Sequence, residues 1–277
     1  MTLREMQMVA ADRLAEVPEL REAASRDAAL LVMHGLGVGR TELFMRTERV
    51  LTDAEVARVS ALIERRVGME PVQYITGEQE FYGMAFRVTR ATLIPRPETE
   101  LLVETVIVRM PGARRIVDVG TGSGAIAVAL AHALPGASVM AVDISGAALE
   151  VARGNAVLNG VSVEFRLGDL LAGVEQGVDV VVSNPPYIPS VDRDGMHPQV
   201  TEFEPAGALF AGVDGLSVYR RLIPQAWEVL RVGGMLAMEI GFGQEEGLRG
   251  LMGGWGGVEF LEDLRGVRRV VVGMKEL

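Results

Sequence analysis

The run Asn184-Pro185-Pro186-Tyr187 carries more chemistry than any other in this 277-residue chain. Two consecutive prolines end a strand and stiffen the turn; they also remove two backbone N–H donors while leaving carbonyl oxygens in a fixed place. Asn184 adds a side-chain oxygen as a second kind of acceptor. Two acceptors held at one angle match the two hydrogens of a primary amide or an aryl amine, and Tyr187 offers a flat face to a planar substrate. An amide nitrogen is a poor nucleophile because its lone pair is delocalised. Acceptors that hold both of its N–H groups orient it and stabilise the charge that develops as it reacts. Such a transfer requires no strong base. That suits a chain with no cysteine and only His34, His132 and His197, far apart in sequence. The same counts exclude disulfides and thiolate metal sites, and no metal is expected.

A second constellation is Val117-Asp118-Val119-Gly120-Thr121-Gly122-Ser123-Gly124. Glycines there let a backbone turn tightly and approach a ligand closely, so Gly120, Thr121, Gly122, Ser123 and Gly124 read as a cofactor loop. Asp143 ends the next apolar run, about two dozen residues after Gly120, where a carboxylate accepts both ribose hydroxyls of a bound nucleoside. Gly120-x-Gly122-x-x-Ala125 also satisfies the relaxed dinucleotide fingerprint. Asp118 leans toward S-adenosylmethionine: an acid at the base of the loop suits a cationic amino group and repels a pyrophosphate. Asp169 with Leu170 supplies a third point, an acceptor for an adenine amino group beside an apolar cover.

Positioning these residues takes an alternating architecture. Apolar runs predict strands over Ile116–Val119, Val139–Ile144, Val163–Leu167, Val178–Ser183, Leu236–Ile240, Val258–Leu261 and Arg269–Val272. Helical spacing predicts helices over Ala125–Leu134, Ala147–Leu158 and Val218–Leu230. The first four strands are short and rich in Val and Ile, as parallel strands buried on both faces are. The fold class that follows is α/β, a doubly wound Rossmann-like sheet of seven strands, mostly parallel, over residues 97–277. Residues 1–70 predict a small helical bundle, with Ser25 as an N-cap, Gly35 and Gly37 as a stop, and a capping box at Thr52-Asp53-Ala54-Glu55. Between them, residues 71–96 read as a linker with a hairpin turning near Gly83. A helix follows from about Pro97 to Val108. Ile188–Val213, with Pro189, Gly195, Pro198, Pro205 and Gly207, shows no clear period and reads as a long functional loop.

The net charge is −10 and the sequence pI about 5.0, a balance that leans against a stably bound nucleic acid. The first residues hold charges where a secretory signal needs an unbroken apolar stretch, and no run is long enough to span a bilayer. A cytoplasmic protein without membrane contact is the expectation.

The two constellations together resemble class I methyltransferases that act on exocyclic or amide nitrogens. Leu93-Ile94-Pro95-Arg96-Pro97-Glu98-Thr99-Glu100, Phe203-Glu204-Pro205, Ala208-Leu209 and Gly212-x-Asp214-Gly215-Leu216 narrow the resemblance to the release factor glutamine methyltransferase family. It runs from about Pro71 to the end, and the helical N-terminal part also fits. The resemblance implies S-adenosylmethionine as cofactor. It implies class I peptide-chain release factors as partners, methylated on N5 of the glutamine in their Gly-Gly-Gln motif. It assigns Gly120 to Gly124 to the cofactor loop, Asp143 to the ribose, and Asp169 and Leu170 to the adenine end, where some members carry a larger aromatic in place of Leu170. Asn184, Pro185, Pro186 and Tyr187 match the glutamine site, with Asn184 also against the cofactor and Asn184, Pro185 and Tyr187 in catalytic roles. Pro95–Glu100 matches a segment packed beside the active site, with no chemical role assigned to Arg96 or Glu98. The N-terminal helices would dock the release factor. One alternative is the related enzyme that methylates a large-subunit ribosomal protein, whose segment reads Pro-Arg-Ser-Pro where this chain has Pro95-Arg96-Pro97-Glu98. Another is an adenine-N6 methyltransferase of nucleic acid, which the net charge disfavours. An NAD-dependent oxidoreductase would leave Asn-Pro-Pro-Tyr unexplained, and a non-catalytic cofactor binder would leave Asn184 without a task.

Overall fold

The computed structural model describes residues 1–277. The chain divides into two compact units, Met1–Glu78 with Met196–Phe203, and Gln79–Gly195 with Glu204–Leu277. The linker expected over 71–96 straddles that division, its hairpin falling in the second unit.

The first unit contains α1 (Leu3–Ala15), α2 (Ala24–Leu36), α3 (Arg40–Met45), α4 (Asp53–Val67) and α5 (Val72–Thr76). Thr2 and Glu5 close a capping box ahead of α1, and Thr52 and Glu55 close the expected one ahead of α4. Ser25 is not the cap of α2. That helix starts a residue earlier, behind Ala23, with no side-chain cap, and ends on Gly37 in the left-handed conformation. Leu3, Met6, Ala10 and Leu14 of α1 share a core with Leu31 and Val32 of α2 and Val59 and Ile63 of α4. Within it Arg66 Nε lies 2.9 Å from Asp27 Oδ2, both side chains buried.

The second unit opens on a hairpin, β1 (Glu78–Phe81) and β2 (Met84–Arg87). Its two-residue loop, Tyr82-Gly83, has positive φ at both positions, the twist that suits a tight hairpin. There follow α6 (Glu100–Arg109), β3 (Arg115–Val119), α7 (Ala125–Ala133), β4 (Ser138–Asp143), α8 (Gly146–Leu158), β5 (Glu164–Leu167), β6 (Val178–Ser183), α9 (Ser217–Val229), β7 (Leu230–Glu239), α10 (Glu245–Leu251), β8 (Gly256–Glu262) and β9 (Arg268–Met274). The strand order is β5-β4-β3-β6-β7-β9-β8, parallel except for β9, which runs antiparallel to β7 and to β8. This is the seven-stranded, mostly parallel sheet that the alternation of apolar runs implied. Every residue of β6 is buried, as a central parallel strand with helices on both faces requires.

Three features depart from the sequence reading. β7 begins at Leu230 rather than Leu236, because Gly233 and Gly234 lie inside the strand. A Cβ on Gly234 would come within 2.9 Å of the Arg231 carbonyl oxygen, so the glycine marks a tight passage and not a break. α10 went unread because Gly247 and Gly250 interrupt its pattern. The segment Ile188–Val213 contains 3-10 turns at Ser190–Gly195 and Ala206–Ala208 and a helix at Pro198–Phe203. Six residues are too few to display a helical period. The base of the segment is closed by Ile188 N–H to the Leu209 carbonyl and Ala211 N–H to the Ile188 carbonyl, each 2.9 Å.

Candidate active site

The strand order reverses between β3 and β6. In an open α/β sheet, the crevice at the carboxyl ends of such a pair is where ligands bind. A cavity of about 470 Å³ opens there. One wall comes from the loop after β3. Gly120, Gly122 and Gly124 all have positive φ, at 72°, 55° and 82°. Gly120 and Gly122 have open space where a Cβ would stand, so backbone conformation requires glycine there. At Gly124 a Cβ would meet the Ala152 Cβ at 3.0 Å, so that glycine also serves the approach of the loop to α8. Gly120, Thr121, Gly122 and Ser123 line the cavity; Gly124 does not. The loop is pinned to β4 by N–H bonds from Gly120 and Thr121 to the Val142 carbonyl, 2.8 and 3.1 Å.

Asp118 stands elsewhere than the sequence reading supposed. It is fully buried beneath the loop and does not line the cavity. Its Oδ2 accepts from Thr121 Oγ1 at 2.6 Å and from the Ala127 N–H at 3.2 Å, while Oδ1 has no partner. One carboxylate oxygen is taken up by the loop's own donors, so Asp118 shapes the loop from beneath, and the other is left unpaired. Burial, reinforced by the Asp143 charge, outweighs those hydrogen bonds and pushes its pKa up to about 7.

Asp143 sits at the tip of β4 on the cavity wall. Its Oδ2 accepts from the Gly122 N–H and its Oδ1 from the Ser145 N–H, both at 2.8 Å, which fixes the carboxylate and leaves a lone pair on each oxygen. Ile144, 74% exposed, offers an apolar surface beside it, a residue the sequence reading passed over. Asp169 and Leu170 also line the cavity. Asp169 Oδ2 accepts from Arg221 Nη2 at 2.5 Å, and Leu170 holds a left-handed φ of 52°, a strained state for a leucine that turns the chain into the wall. A fixed carboxylate for two hydroxyls, apolar faces on Ile144 and Leu170, and a glycine loop with a close backbone form a donor set that fits S-adenosylmethionine.

The opposite wall follows β6. Asn184 and Pro186 line the cavity; Pro185 is buried, and the Tyr187 ring is not part of the wall. Tyr187 is half-buried, with its hydroxyl 3.3 Å from Glu239 Oε1. Burial, with the nearby Glu239 charge, raises its pKa above the ordinary tyrosine value. The turn is held from behind: Gln244 Nε2 donates to the Tyr187 carbonyl at 2.9 Å, and a Cβ on Gly215 would fall 2.2 Å from that oxygen. Asn184 Nδ2 donates to Thr99 Oγ1 at 3.1 Å, and Thr99 Oγ1 donates to Glu239 Oε2 at 2.6 Å. Glu239 is fully buried. Loss of solvent pushes its pKa up to about 7, against the hydrogen bonds from Thr99 and Tyr187 and the Arg269 charge. Arg96 also reaches the cavity, paired with the buried carboxylate of Glu204, whose Oε2 accepts from the Ile94 N–H at 3.1 Å.

Thr99 and Glu239 thus bond the acceptor turn, and Arg96, held by Glu204, lines the same cavity; the sequence reading gave none of the four a role. One signal for Glu239 was legible: a single acid near the end of the apolar run Met235-Leu236-Ala237-Met238. A charge buried at such a place needs partners.

A glycine loop after the first sheet strand, a carboxylate at the tip of the second and an Asn-Pro-Pro-Tyr turn after the fourth define a methyltransferase. Two family models agree, "Methyltransferase small domain" over residues 97–199 and "PrmC N-terminal domain" over residues 5–77. A release factor glutamine methyltransferase of Koribacter versatilis is 48% identical over 252 residues, 90% of each chain. One of Geobacter sulfurreducens is 42% identical over 255 residues, covering 91% of this chain and 90% of that one. The chain belongs to the release factor glutamine methyltransferase family. Among solved structures, a methyltransferase from Pyrococcus furiosus shares the fold, with a TM-score of 0.53 at 19% identity over 79% of this chain and 98% of that one. No helix is long and apolar enough to cross a membrane.

Proposed function

We propose that this enzyme methylates N5 of a glutamine side chain, that of the Gly-Gly-Gln motif in class I peptide-chain release factors, with S-adenosylmethionine as methyl donor. The observation that carries the reading is the Asn184 carboxamide on the cavity wall. Its nitrogen is tied back to Thr99, and no group in the chain donates to its oxygen. When bound, S-adenosylmethionine supplies a methyl group made electrophilic by a positively charged sulfur. Gly120, Thr121, Gly122 and Ser123 cradle its methionine part, Asp143 holds the ribose hydroxyls, and Ile144, Leu170 and Asp169 surround the adenine. Asn184 Oδ1 and the Pro185 carbonyl accept the two amide hydrogens of the glutamine, so that its nitrogen faces across the cavity toward the loop. As positive charge builds on that nitrogen, the same two oxygens stabilise it; the S–CH3 bond breaks as the N–CH3 bond forms, and one of the two amide protons then leaves to solvent, so it need not be removed beforehand. Pro186 walls the approach. The helical unit docks the body of the release factor, in the cytoplasm where translation presents it.

The test is to incubate the protein and labelled S-adenosylmethionine with release factors, large-subunit ribosomal protein and nucleic acid, each separately, and to locate the label by mass spectrometry. Label on the Gly-Gly-Gln glutamine is expected. Label confined to the ribosomal protein or to adenine would refute the substrate assignment.

A further inference from the structure

A glutamine side chain ends in two groups of nearly equal size, an NH2 and a carbonyl oxygen, and a methyltransferase must take the nitrogen. The selection falls to Asn184, whose own carboxamide has the same ambiguity. Standing one way it presents an acceptor to the cavity and captures the glutamine N–H2. Turned over, it presents a donor and captures the glutamine oxygen, leaving the nitrogen misplaced.

We propose that Glu239, acting through Thr99, is the positioning residue that sets which way round the Asn184 carboxamide stands, and so selects the nitrogen end of the substrate amide. This rests on the substrate reading above. The argument is a count of hydrogens. The Thr99 hydroxyl has one proton and lies 2.6 Å from Glu239 Oε2. In its ionised form, above about pH 7, Glu239 only accepts, so the proton points to it. Thr99 Oγ1 is left with lone pairs alone toward its other neighbour, the polar end of Asn184 at 3.1 Å. That end must be the NH2, and Oδ1 is turned to the cavity.

The other partners of Glu239 are arranged so as not to disturb this. Tyr187 Oη faces the second carboxylate oxygen at 3.3 Å, and Tyr219 Oη donates to the Glu239 backbone carbonyl at 2.7 Å, leaving Oε2 to Thr99. The placement follows from topology. Asn184 directly follows β6, whose last residue Ser183 pairs with Met238, and Glu239 is the next residue of β7. Thr99 enters from the turn before α6. Protonation of Glu239 on Oε2 would reverse the relay, since that O–H would donate to Thr99 and the Thr99 proton would turn toward Asn184, whereas a proton on Oε1, beside Tyr187, would leave it intact. The charged and titratable groups that face Glu239 are Arg269 on β9, Glu98 in the turn before α6, Tyr187 after β6 and Tyr219 on α9. Arg269 favours the carboxylate, while Glu98 and burial oppose it.

The experiment uses the full-length enzyme and the variants Thr99→Val, Thr99→Ser and Glu239→Gln. Valine keeps the shape of threonine without the relay, and serine keeps the relay without the methyl group. Two readouts are taken: the Asn184 side-chain NH2 resonances by NMR in the cofactor-free enzyme, and single-turnover methylation of a whole release factor. In the wild type one Asn184 NH2 proton is expected to be shifted and protected from exchange, and to respond to pH together with Glu239. Thr99→Val should abolish that signature and lower the single-turnover rate about 10²-fold, the scale of a misplaced polar contact at a reacting centre, with S-adenosylmethionine affinity unchanged. Glu239→Gln should remove the pH response of the Asn184 signal and slow turnover. Thr99→Ser should restore both the signature and most of the rate. Equal impairment of Thr99→Ser and Thr99→Val would overturn the proposal in favour of simple packing. So would an Asn184 NH2 signal that is unprotected and indifferent to pH in the wild type, which decides the matter even if Thr99→Val does not fold. If the wild type leaves release factors unmethylated, the substrate reading fails by itself, and the NMR comparison still decides the orientation of Asn184.

Discussion

Each chemistry-bearing residue has a distinct consequence when it is changed. Asn184→Ala keeps the proline turn and removes the free acceptor, so the rate should fall about 10²–10³-fold while S-adenosylmethionine binds almost as before. Single-turnover kinetics with calorimetry would separate the two, and an unchanged rate would return the turn to a purely structural role. Asp143→Ala removes a carboxylate held by two N–H groups at the tip of β4. On the proposed ribose role, losing charge-assisted bonds to two hydroxyls should cost on the order of 2–4 kcal/mol in cofactor affinity; undiminished affinity by calorimetry would remove Asp143 from the site. Asp118 bears on stability through its buried carboxylate. Its pKa is raised from the ordinary 3.8 to about 7, so between those values the folded protein holds a proton that the unfolded chain has released. The stability it contributes is complete below pH 3.8 and is lost as pH rises through about 7. Asp118→Asn cannot ionise, so it should lose less stability than wild type between pH 5 and 8, by on the order of 3 kcal/mol. Denaturant titrations at the two pH values would measure this, and parallel losses in the two proteins would contradict it.

At the scale of elements, the sequence disclosed whatever repeats with a period. The short Val- and Ile-rich runs at β3, β4 and β6 were legible because both faces of those strands are buried, and the glycine loop and Asn-Pro-Pro-Tyr were legible because their residue types are unusual at such junctions. What stayed hidden was pairing across distance. Nothing near Thr99 announces that its hydroxyl meets Glu239, 140 residues on, or that Arg96 meets Glu204. Glycines hid the remaining elements: Gly233 and Gly234 lie inside β7, and Gly247 and Gly250 inside α10. Gly124, read from sequence only as part of the cofactor loop, has a second task. Its positive φ serves the turn, while its missing side chain lets the start of α7 pack against Ala152 of α8. Gly124→Ala should therefore destabilise the enzyme by more than Gly120→Ala, which meets backbone strain alone, on the order of 1 kcal/mol. Adding Ala152→Gly removes the colliding methyl group and should show a favourable coupling of at least about 0.5 kcal/mol with Gly124→Ala. Strict additivity in thermal or urea unfolding would mean that φ strain, and not the helix approach, decides the cost.

For the whole molecule, every residue assigned to the cofactor or to the glutamine lies in the second unit, while the first unit contributes helices alone. On the proposed docking role of the first unit, methyl transfer and recognition of the release factor are separable tasks. Deleting Met1–Glu78 should leave S-adenosylmethionine affinity unchanged and should leave a short peptide bearing Gly-Gly-Gln nearly as good a substrate as before. The catalytic efficiency on a whole release factor should fall about 10²-fold, because a second contact that holds the substrate protein near the site is worth roughly that in effective concentration. The deletion has one structural side effect. Met196–Phe203 belongs with the deleted helices, and His197 Nε2 lies 3.3 Å from the Glu19 carbonyl. Amides of that segment should exchange faster in the shortened enzyme, whereas those of β6, buried along its whole length, should keep their protection and report that the sheet is intact. Hydrogen exchange therefore checks the fold in the same sample used for kinetics. If the shortened enzyme, with β6 protected, methylates the whole release factor at the original rate, the helical unit has no part in docking. If it fails on the short peptide as well while still binding cofactor, the unit helps to build the glutamine site and does more than dock.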